Sequence, residues 1–260
     1  EKHVREIYVC LDQDAKKQAI QTAEYFMNNG IDVYFVDMQD KDPNQMGFEK
    51  IWELINDTTK LTDFKLMEYK VLITTSSIGS RLGNLTKYSN KALIRVGDYA
   101  ILTHIIKNYD KDTHFVITLG HFGNLIKQYI EICHSDSKVS FIQVENYKGK
   151  GSSLLYSMLK AKEILNSPFI FHASDSIIHS EFKDLTANYI AGFYKGDTSS
   201  YCSYDIDGEN VAAIYNKGEI NPDFIHIGVI FIKDHEEFWK TALEIYGENQ
   251  ESSTLNDVSV

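Results

Sequence analysis

The apolar positions near the start of the chain switch between two spacings, and this switch predicts a small α/β unit. The strand-forming run REIYVCL is followed by AKKQAIQTAEYFMNNG, whose apolar residues recur at helical spacing. Gly30 is a good stop for that helix, and IDVYFVDM supplies the next strand. A second helix is expected from Gly47 to Ile55. Together these elements predict a βαβα unit.

A second and longer α/β series begins at Lys70. The polar segment between Asn56 and Lys70 lacks a clean period, so it is the predicted boundary between a unit at 1–67 and a domain at 70–260. The apolar patterns there predict strands at 70–75, 114–119, 138–144, 168–173, 199–205, 211–216 and 225–232. They predict helices near 99–109, 122–133, 152–165, 181–194 and 234–246.

Composition narrows the class of partner. The chain has 260 residues, 43% of them hydrophobic, so it can bury a sizeable core. Its formal net charge of -11 argues against nucleic-acid or anionic-membrane partners, which select clustered Lys and Arg. Small anionic substrates remain open because they need only a local pocket, and a homo-oligomer is also left open.

Cysteine usage indicates a reducing compartment. Cys10, Cys133 and Cys202 are far apart and form no C-x-x-C pair, so neither a disulfide framework nor a zinc knuckle is indicated. With no visible signal peptide and no long apolar run, we expect a cytoplasmic protein. Because the chain begins without methionine and stops within LNDVSV, we expect both ends to be cuts through a longer protein, so that the larger domain is truncated at its C-terminus.

The stretch ITTSSIGSRLGNLTKYSNKALIRVGD, from Ile73 to Asp98, is the clearest candidate for chemistry. Small residues follow a strand, and their backbone amides can form a concavity that binds anions. Two cations follow: the guanidinium of Arg81, which can bind two oxygens at once, and the ammonium of Lys91. Together they suit a polyphosphate. The candidate phosphate-binding residues are Thr75, Ser76, Ser77, Gly79 and Ser80. A plain turn before a helix is the alternative.

This stretch resembles the signature of the sugar-phosphate nucleotidyltransferases, G-x-G-[TS]-R-L-x-x-L-T-x-x-x-P-K-x-L-x-x-V. The positions in register are Gly79, Ser80, Arg81, Leu82, Leu85, Thr86, Lys91, Leu93 and Val96. Ser77 replaces the first glycine, which is tolerable if its backbone avoids the left-handed region, and Asn90 replaces the proline. The resemblance implies a Rossmann-like mixed, mostly parallel sheet flanked by helices over residues 70–260.

Further residues take roles that this resemblance implies. Asp175, just after a predicted strand, and Asp257, in STLNDVSV, would be the two magnesium ligands, with Asn256 a weaker candidate. As a residue before SIIHSEF, Asp175 could instead cap a helix. The loop in VENYKGKGSSLLYSML resembles the family's second loop, which contacts the nucleobase and sugar. Its candidate residues are Gly149, Gly151, Ser152 and Ser153.

Two segments near the end of the chain resemble the acceptor site of the family. In AAIYNKGEI, Lys217 matches a lysine that contacts the second substrate, and Asn216 stands where a glutamate is usual. In HIGVIFI, Gly228 matches a glycine that lines the acceptor pocket. Lys217 could equally be a solvated charge at a strand end.

The amino-terminal segment resembles part of a different family. Asp12 and Asp14 at a strand end resemble the D-x-D pair in the second half of a phage-type primase Toprim domain. The earlier strand that carries that family's glutamate is absent, and Asp37, Asp40 and Asp42 make the surroundings acidic. A small docking unit with no metal chemistry is the alternative.

The sequence therefore predicts a magnesium-dependent nucleotidyltransferase that joins a nucleoside triphosphate to a sugar phosphate or similar phosphomonoester and releases pyrophosphate. The resemblance implies that Arg81 holds the β- and γ-phosphates, that Lys91 neutralises the α-phosphate, and that nucleotide-sugar and polysaccharide synthesis is the setting. The nucleobase and acceptor stay open. The alternatives are a primase-like nucleic-acid protein and a nucleotide-binding subunit without activity.

Overall fold

The computed structural model describes residues 4–10, 23, 25–27, 29–36, 46–56, 58, 69–179, 187–194, 198–218 and 222–260. The chain forms two compact units, Glu1–Met67 and Glu68–Val260. Among the described residues, no helix is both long and apolar enough to cross a membrane.

The smaller unit contains a two-stranded parallel sheet. Strand β1 (Glu6–Val9) pairs with β2 (Asp32–Phe35), and Val9, Ala23 and Val33 form a small buried cluster. Helix α1 (Phe48–Asn56) has no buried residue. The Toprim-like pair Asp12 and Asp14 lies outside the described residues, as do Asp37, Asp40 and Asp42. The primase-like interpretation therefore stays a prediction.

The larger unit is built on one eight-stranded mixed sheet and a short hairpin. Its strands are β3 (Lys70–Thr74), β4 (Arg95–Val96), β5 (Tyr99–Ala100), β6 (His114–Leu119), β7 (Lys138–Gln143), β8 (Phe169–Ala173), β9 (Tyr189–Tyr194), β10 (Ser203–Asp207), β11 (Asn210–Tyr215) and β12 (Phe224–Ile232). The sheet order is β11-β10-β12-β8-β3-β6-β7, β9 also pairs with β12, and β4 and β5 form the hairpin. Strands β7, β6, β3 and β8 are parallel, whereas the pairings made by β9 to β12 are antiparallel.

Helices cover the sheet and complete its core. They are α2 (Ile101–Lys107), α3 (Gly123–Cys133), α4 (Leu154–Leu159) and α5 (His235–Glu248), and shorter 3-10 segments cover Ser80–Thr86 and Lys91–Leu93. Trp239 of α5 stacks on Phe169 with ring centroids 5.2 Å apart, and its indole N–H donates to the Leu165 carbonyl at 2.9 Å. Burying a side chain such as Phe169 stabilises the fold by about 1.5–3 kcal/mol. This core confirms the predicted fold class, a mixed α/β sheet flanked by helices.

The arrangement of the parallel strands determines where a ligand site is expected. VLIT of β3, FVITL of β6 and FIFH of β8 are buried, as expected for strands covered on both faces. Their carboxyl ends lie at one edge of the sheet, where ligands of open α/β sheets bind.

One predicted element is wrong. Residues 181–194 were expected to form a helix, but residues 189–194 form strand β9, which pairs antiparallel with β12. The segment YIAGFY is rich in β-branched and aromatic residues, which favour a strand when a partner is available. Gly192 is required there because a Cβ atom would overlap the Tyr204 side chain. Residues 180–186 lie outside the described residues.

Candidate active site

The loop after β3 is anchored by side chains that the sequence had suggested for nucleotide binding. The buried Thr75 hydroxyl donates to the Thr118 carbonyl at 2.5 Å, and the Ser76 hydroxyl lies 3.0 Å from that of Ser157. Both hydroxyls therefore hold the loop to its neighbours. The exposed residues Ser77 and Ser80 are the ones left at the surface of the loop.

The two glycine positions of the signature have different backbone requirements. Gly79 has a left-handed φ of 68°, and a Cβ there would lie 3.3 Å from the Lys91 Cβ and 3.1 Å from the Thr86 methyl carbon. Among the described residues, Phe122 is the only non-glycine residue with positive φ. Ser77 therefore lies outside the left-handed region and replaces the usual glycine without backbone strain.

Asn90, the second departure from the signature, is fully buried and connects three segments. Its side-chain amide donates to the carbonyls of Thr75 and His121, each at 2.7 Å. Its Oδ1 atom accepts from the Ala92 N–H at 3.0 Å and so caps the 3-10 segment that begins with Lys91. Asn90 thereby fixes the backbone at Lys91 to the ends of β3 and β6.

Lys91 and Asp175 meet at the carboxyl edge of the sheet. Their Nζ and Oδ2 atoms are 2.8 Å apart, and their side chains are 13% and 40% exposed. The two residues are 84 positions apart in the chain, and the parallel pairing of β3 with β8 brings them together. Arg81 lies in the exposed 3-10 segment, and within the described part of the chain its side chain forms no ion pair.

The strand next to β8 is irregular beside Asp175. Gly228 of β12 has a φ of 77°, and the register with β9 shifts between His226 and Ile230. A Cβ on Gly228 would lie 2.6 Å from the Ala173 Cβ, so only glycine allows β12 to pass this close to the end of β8. The Ser176 hydroxyl donates to the Ile227 carbonyl and ties the loop that carries Asp175 to β12.

Asp257 is held beside the same part of β12. Its Oδ2 atom accepts from His226 Nε2 at 2.6 Å, and both side chains are more than nine-tenths buried. Within the described part of the chain, His226 is the one residue that forms a hydrogen bond with the Asp257 carboxylate. The other imidazole nitrogen, Nδ1, is buried without a hydrogen-bond partner in that part of the chain.

Lys217 and Asp257 both act on the buried Cys202 thiol. Burial raises the pKa of the Cys202 thiol, while the Lys217 cation lowers that pKa and the Asp257 carboxylate raises it. Asn256 donates to the Cys202 sulfur at 3.8 Å, and its Oδ1 accepts from the Val258 N–H at 3.0 Å. Asn256 therefore shapes the turn around Asp257, while the exposed Lys217 supplies a cation nearby.

The second glycine loop packs against the segment that leads to Asp257. The Gly151 N–H donates to the Glu251 carbonyl at 3.1 Å, and the Leu155 N–H donates to the Leu255 carbonyl at 3.3 Å. Gly151 has a φ of 76°, and a Cβ there would lie 2.8 Å from the Gln250 carbonyl oxygen. Ser152 and Ser153 have local roles: Ser152 donates to the Gly149 carbonyl at 2.6 Å, and Ser153 caps α4.

Beneath Asp175, His172 is buried and neutral. Its Nε2 atom lies 3.0 Å from the Ser176 carbonyl, which can only accept, so Nδ1 accepts from the Tyr109 hydroxyl at 2.7 Å. Burial lowers the pKa of His172 to about 4. Burial also raises the pKa of Tyr109 well above its usual range. The pair supports the end of β8 from within the core.

Comparisons with known proteins identify the fold. No protein-family model and no curated protein matches the chain. Solved structures do match. A UDP-glucose pyrophosphorylase in complex with UDP-glucose is 14% identical, covers 70% of this chain and 80% of its own, and has a TM-score of 0.57. A glucose-1-phosphate thymidylyltransferase assigned in Bacillus anthracis is 15% identical over 71% of this chain and 79% of its own, with a TM-score of 0.58. The CTP:phosphocholine cytidylyltransferase of Streptococcus pneumoniae is 19% identical over 70% and 78%, with a TM-score of 0.55.

The chain shares its fold with the sugar-phosphate nucleotidyltransferases. This likeness shows the fold, in which the loop after β3 and the acid after β8 lie at the same edge of the sheet. It leaves the roles of individual residues to be argued from the geometry.

Two residues on this nucleotidyltransferase fold were missed or misjudged from sequence. His226 drew no attention because a lone histidine in HIGVIFI is indistinguishable from a core residue. Asn90 was read only as a lost proline, although Asn followed by Lys in S-N-K-A-L is also a sequence typical of a capped turn. Both depend on partners that are distant in sequence: 31 positions separate His226 from Asp257, and 31 separate Asn90 from His121.

An open cleft of the described structure lies away from these residues. It has a volume of about 320 Å³ and is lined by residues at the carboxyl ends of α2 and α3 and the start of β6, including Lys107, Lys111 and His134. None of the predicted site residues lines it. Its location at the amino end of β6 places it away from the edge that carries Lys91 and Asp175.

Proposed function

We propose that the chain is a nucleotidyltransferase that transfers a nucleotide from a nucleoside triphosphate to a small phosphorylated acceptor, and that residues 70–260 form its catalytic domain. The observation that carries the proposal is the 2.8 Å pair between Lys91 and Asp175. It joins the signature cation to the predicted acid at the sheet edge where α/β folds bind nucleotides. The fold shared with nucleotidyltransferases supports it.

In the proposed reaction, an oxygen of the acceptor phosphate attacks the α-phosphorus, and the bond from the α-phosphorus to the bridging oxygen breaks. Pyrophosphate leaves with that oxygen and its electron pair. Lys91 leaves Asp175 for the α-phosphate and neutralises charge as the attack proceeds, while Arg81 holds the departing phosphates. The protein supplies no nucleophile, so positioning and charge stabilisation carry the rate.

The loop residues divide into those that bind and those that support. In this proposal Ser77, Gly79 and Ser80 offer amides and hydroxyls to the phosphates. Thr75 and Ser76 contribute through their backbone, because their hydroxyls are engaged within the fold. Gly149, Gly151 and Ser152 form the wall that receives the nucleobase and ribose.

The acceptor would lie between β12 and Lys217. Gly228 lets β12 pass close to Ala173 at this edge, and Lys217 would supply a cation to the acceptor's phosphate.

The carboxylates of Asp175 and Asp257 are the kind of ligand that magnesium prefers. The described residues contain no group of three His, Cys, Asp or Glu side chains placed to hold a metal. Magnesium nevertheless needs only one or two carboxylates when substrate phosphates complete its shell. Asp175 is accessible, and Asp257 has one oxygen bound by His226, so these two carboxylates would hold the ion. When bound, it would offset the negative charge of the phosphates.

Pyrophosphate release tests the proposal. CTP, UTP and dTTP are each incubated with glucose 1-phosphate or phosphocholine, the kinds of acceptor that the structural neighbours' names suggest, with and without magnesium. We expect one pair to release pyrophosphate only with magnesium. Lys91→Ala should reduce that rate by a factor on the order of 100–1000.

Lys87→Ala is the matched control, because Lys87 is an exposed lysine of the same segment that lies over the Tyr88 ring. It should retain the wild-type rate. Wild-type turnover by Lys91→Ala would remove Lys91 from the mechanism. Nucleotide binding in a thermal-shift assay with no turnover for any pair would indicate a binding subunit without activity.

A further inference from the structure

The buried pair of His226 and Asp257 lies outside the apolar cluster of the larger unit. Asp257 is 8% exposed and His226 is 7% exposed, yet neither belongs to the apolar cluster around Phe169 and Trp239. Burying a carboxylate is unfavourable unless it is hydrogen-bonded. The short 2.6 Å contact with His226 Nε2 supplies that bond.

We infer that His226 is a positioning residue that orients the Asp257 carboxylate for its metal ion. This inference rests on the proposed function, because it assigns His226 a task only if Asp257 is a ligand. The imidazole N–H occupies Oδ2, so Oδ1 would be the oxygen offered to the ion. Hydrogen-bond partners of ligating carboxylates restrict their rotation, and losing one typically costs 10–100-fold in metal affinity or activity.

The backbone around His226 makes this orientation specific. The His226 N–H donates to the Cys202 carbonyl at 2.8 Å, which fixes the residue on β12 just before the register shift at Gly228. Asn256 shapes the turn around Asp257 through its bond with the Val258 N–H. The carboxylate is thus held from two elements that are distant in sequence, and His226 is the one that touches it.

The orphan Nδ1 atom supports a functional origin. A buried polar atom without a partner is rare in native structures and needs a reason. A purely structural histidine is expected to satisfy both nitrogens, as His172 does with Tyr109 and Ser176. The Nε2 contact with Asp257 gives His226 a task, although its Nδ1 atom has no partner among the described residues.

Mn²⁺ binding tests the inference without relying on turnover. It is followed by electron paramagnetic resonance in the presence of whichever of CTP, UTP and dTTP stabilises the protein. His226→Gln keeps an N–H donor at similar reach, whereas His226→Asn is an equally polar amide that is too short. We expect Mn²⁺ affinity to fall about 10–100-fold in His226→Asn and to stay within about threefold of wild type in His226→Gln.

A third and a fourth variant separate the inference from the proposed function. Asp257→Asn should lose Mn²⁺ affinity, and adding His226→Asn to it should cause no further loss, because both act through one carboxylate. Equal Mn²⁺ affinity in the two His226 variants, together with a loss in Asp257→Asn, would overturn the inference alone. Unchanged affinity in Asp257→Asn would overturn the metal assignment and the inference with it. Thermal unfolding of each variant confirms that the comparison is between folded proteins.

Discussion

Removal of the Asn90 side chain should both destabilise the larger unit and displace Lys91. Asn90 is fully buried and makes three hydrogen bonds: two donated to the Thr75 and His121 carbonyls and one accepted from the Ala92 N–H. Leaving a buried polar group unpaired costs about 1–3 kcal/mol, so two carbonyls cost about 2–4 kcal/mol after some relaxation. Loss of the N-cap adds about 1 kcal/mol.

Two substitutions divide these contributions. Asn90→Ser keeps a capping hydroxyl but cannot reach both carbonyls, so it should lose about 2–4 kcal/mol of unfolding free energy. Asn90→Ala loses the cap as well and should be about 1 kcal/mol less stable than Asn90→Ser. Both values are a large part of the 5–15 kcal/mol that stabilises a typical domain.

Urea unfolding followed by tryptophan fluorescence measures these changes. The chain has two tryptophans: Trp239 is buried in the larger unit, and Trp52 is exposed on α1 of the smaller one. A Trp52→Phe background therefore makes the signal report the unit that contains Asn90. Pyrophosphate release by the same variants should fall on the order of 100-fold, since a shift of about 1 Å in Lys91 is enough for such a loss.

A loss of less than about 1 kcal/mol in Asn90→Ala, the net value of one hydrogen bond, would contradict this role of Asn90. In that case water or a backbone shift would satisfy the two carbonyls. Stability loss with unchanged turnover would show that Asn90 supports the fold without placing Lys91.

Three further outcomes are expected. In urea unfolding, Gly228→Ala should lower the free energy of unfolding by about 3 kcal/mol, because it adds left-handed backbone strain and overpacking. Gly208→Ala has a positive φ but open space around it, so it should cost about 1 kcal/mol. Equal losses would contradict the close approach of β12 to β8. Gly151→Ala should lower turnover on the order of 10-fold more than Gly149→Ala, because only the former pushes on the segment leading to Asp257; matching rates would argue against this. Burial lowers the pKa of His172 to about 4 in the folded protein, so on acidification the unfolded state binds the extra proton first. The free energy of unfolding should therefore fall by up to about 1.4 kcal/mol per pH unit as pH drops from about 6.5 toward 4. His172→Gln should flatten that slope in pH-dependent unfolding, and an unchanged slope would assign it to other groups.

The fold class and the position of the signature loop after β3 could be predicted from the sequence. Both follow from local sequence patterns. Buried strand runs such as VLIT of β3 alternate with segments of helical spacing, and the signature from Ser77 to Val96 is contiguous. Local patterns failed where tertiary partners decide. Residues 189–194 became a strand because β12 offered a partner, and propensity around them did not settle the choice.

The contacts that support the candidate site depend on tertiary packing. Lys91 meets Asp175 because β3 and β8 are parallel neighbours, Asn90 replaces the signature proline by binding two carbonyls, and His226 reaches Asp257 across 31 positions. Hydrogen bonds of this kind depend on distances of a few ångströms between segments that the chain order leaves unrelated. The same packing engaged the hydroxyls of Thr75 and Ser76, since a polar group that becomes buried must find its partner within the fold.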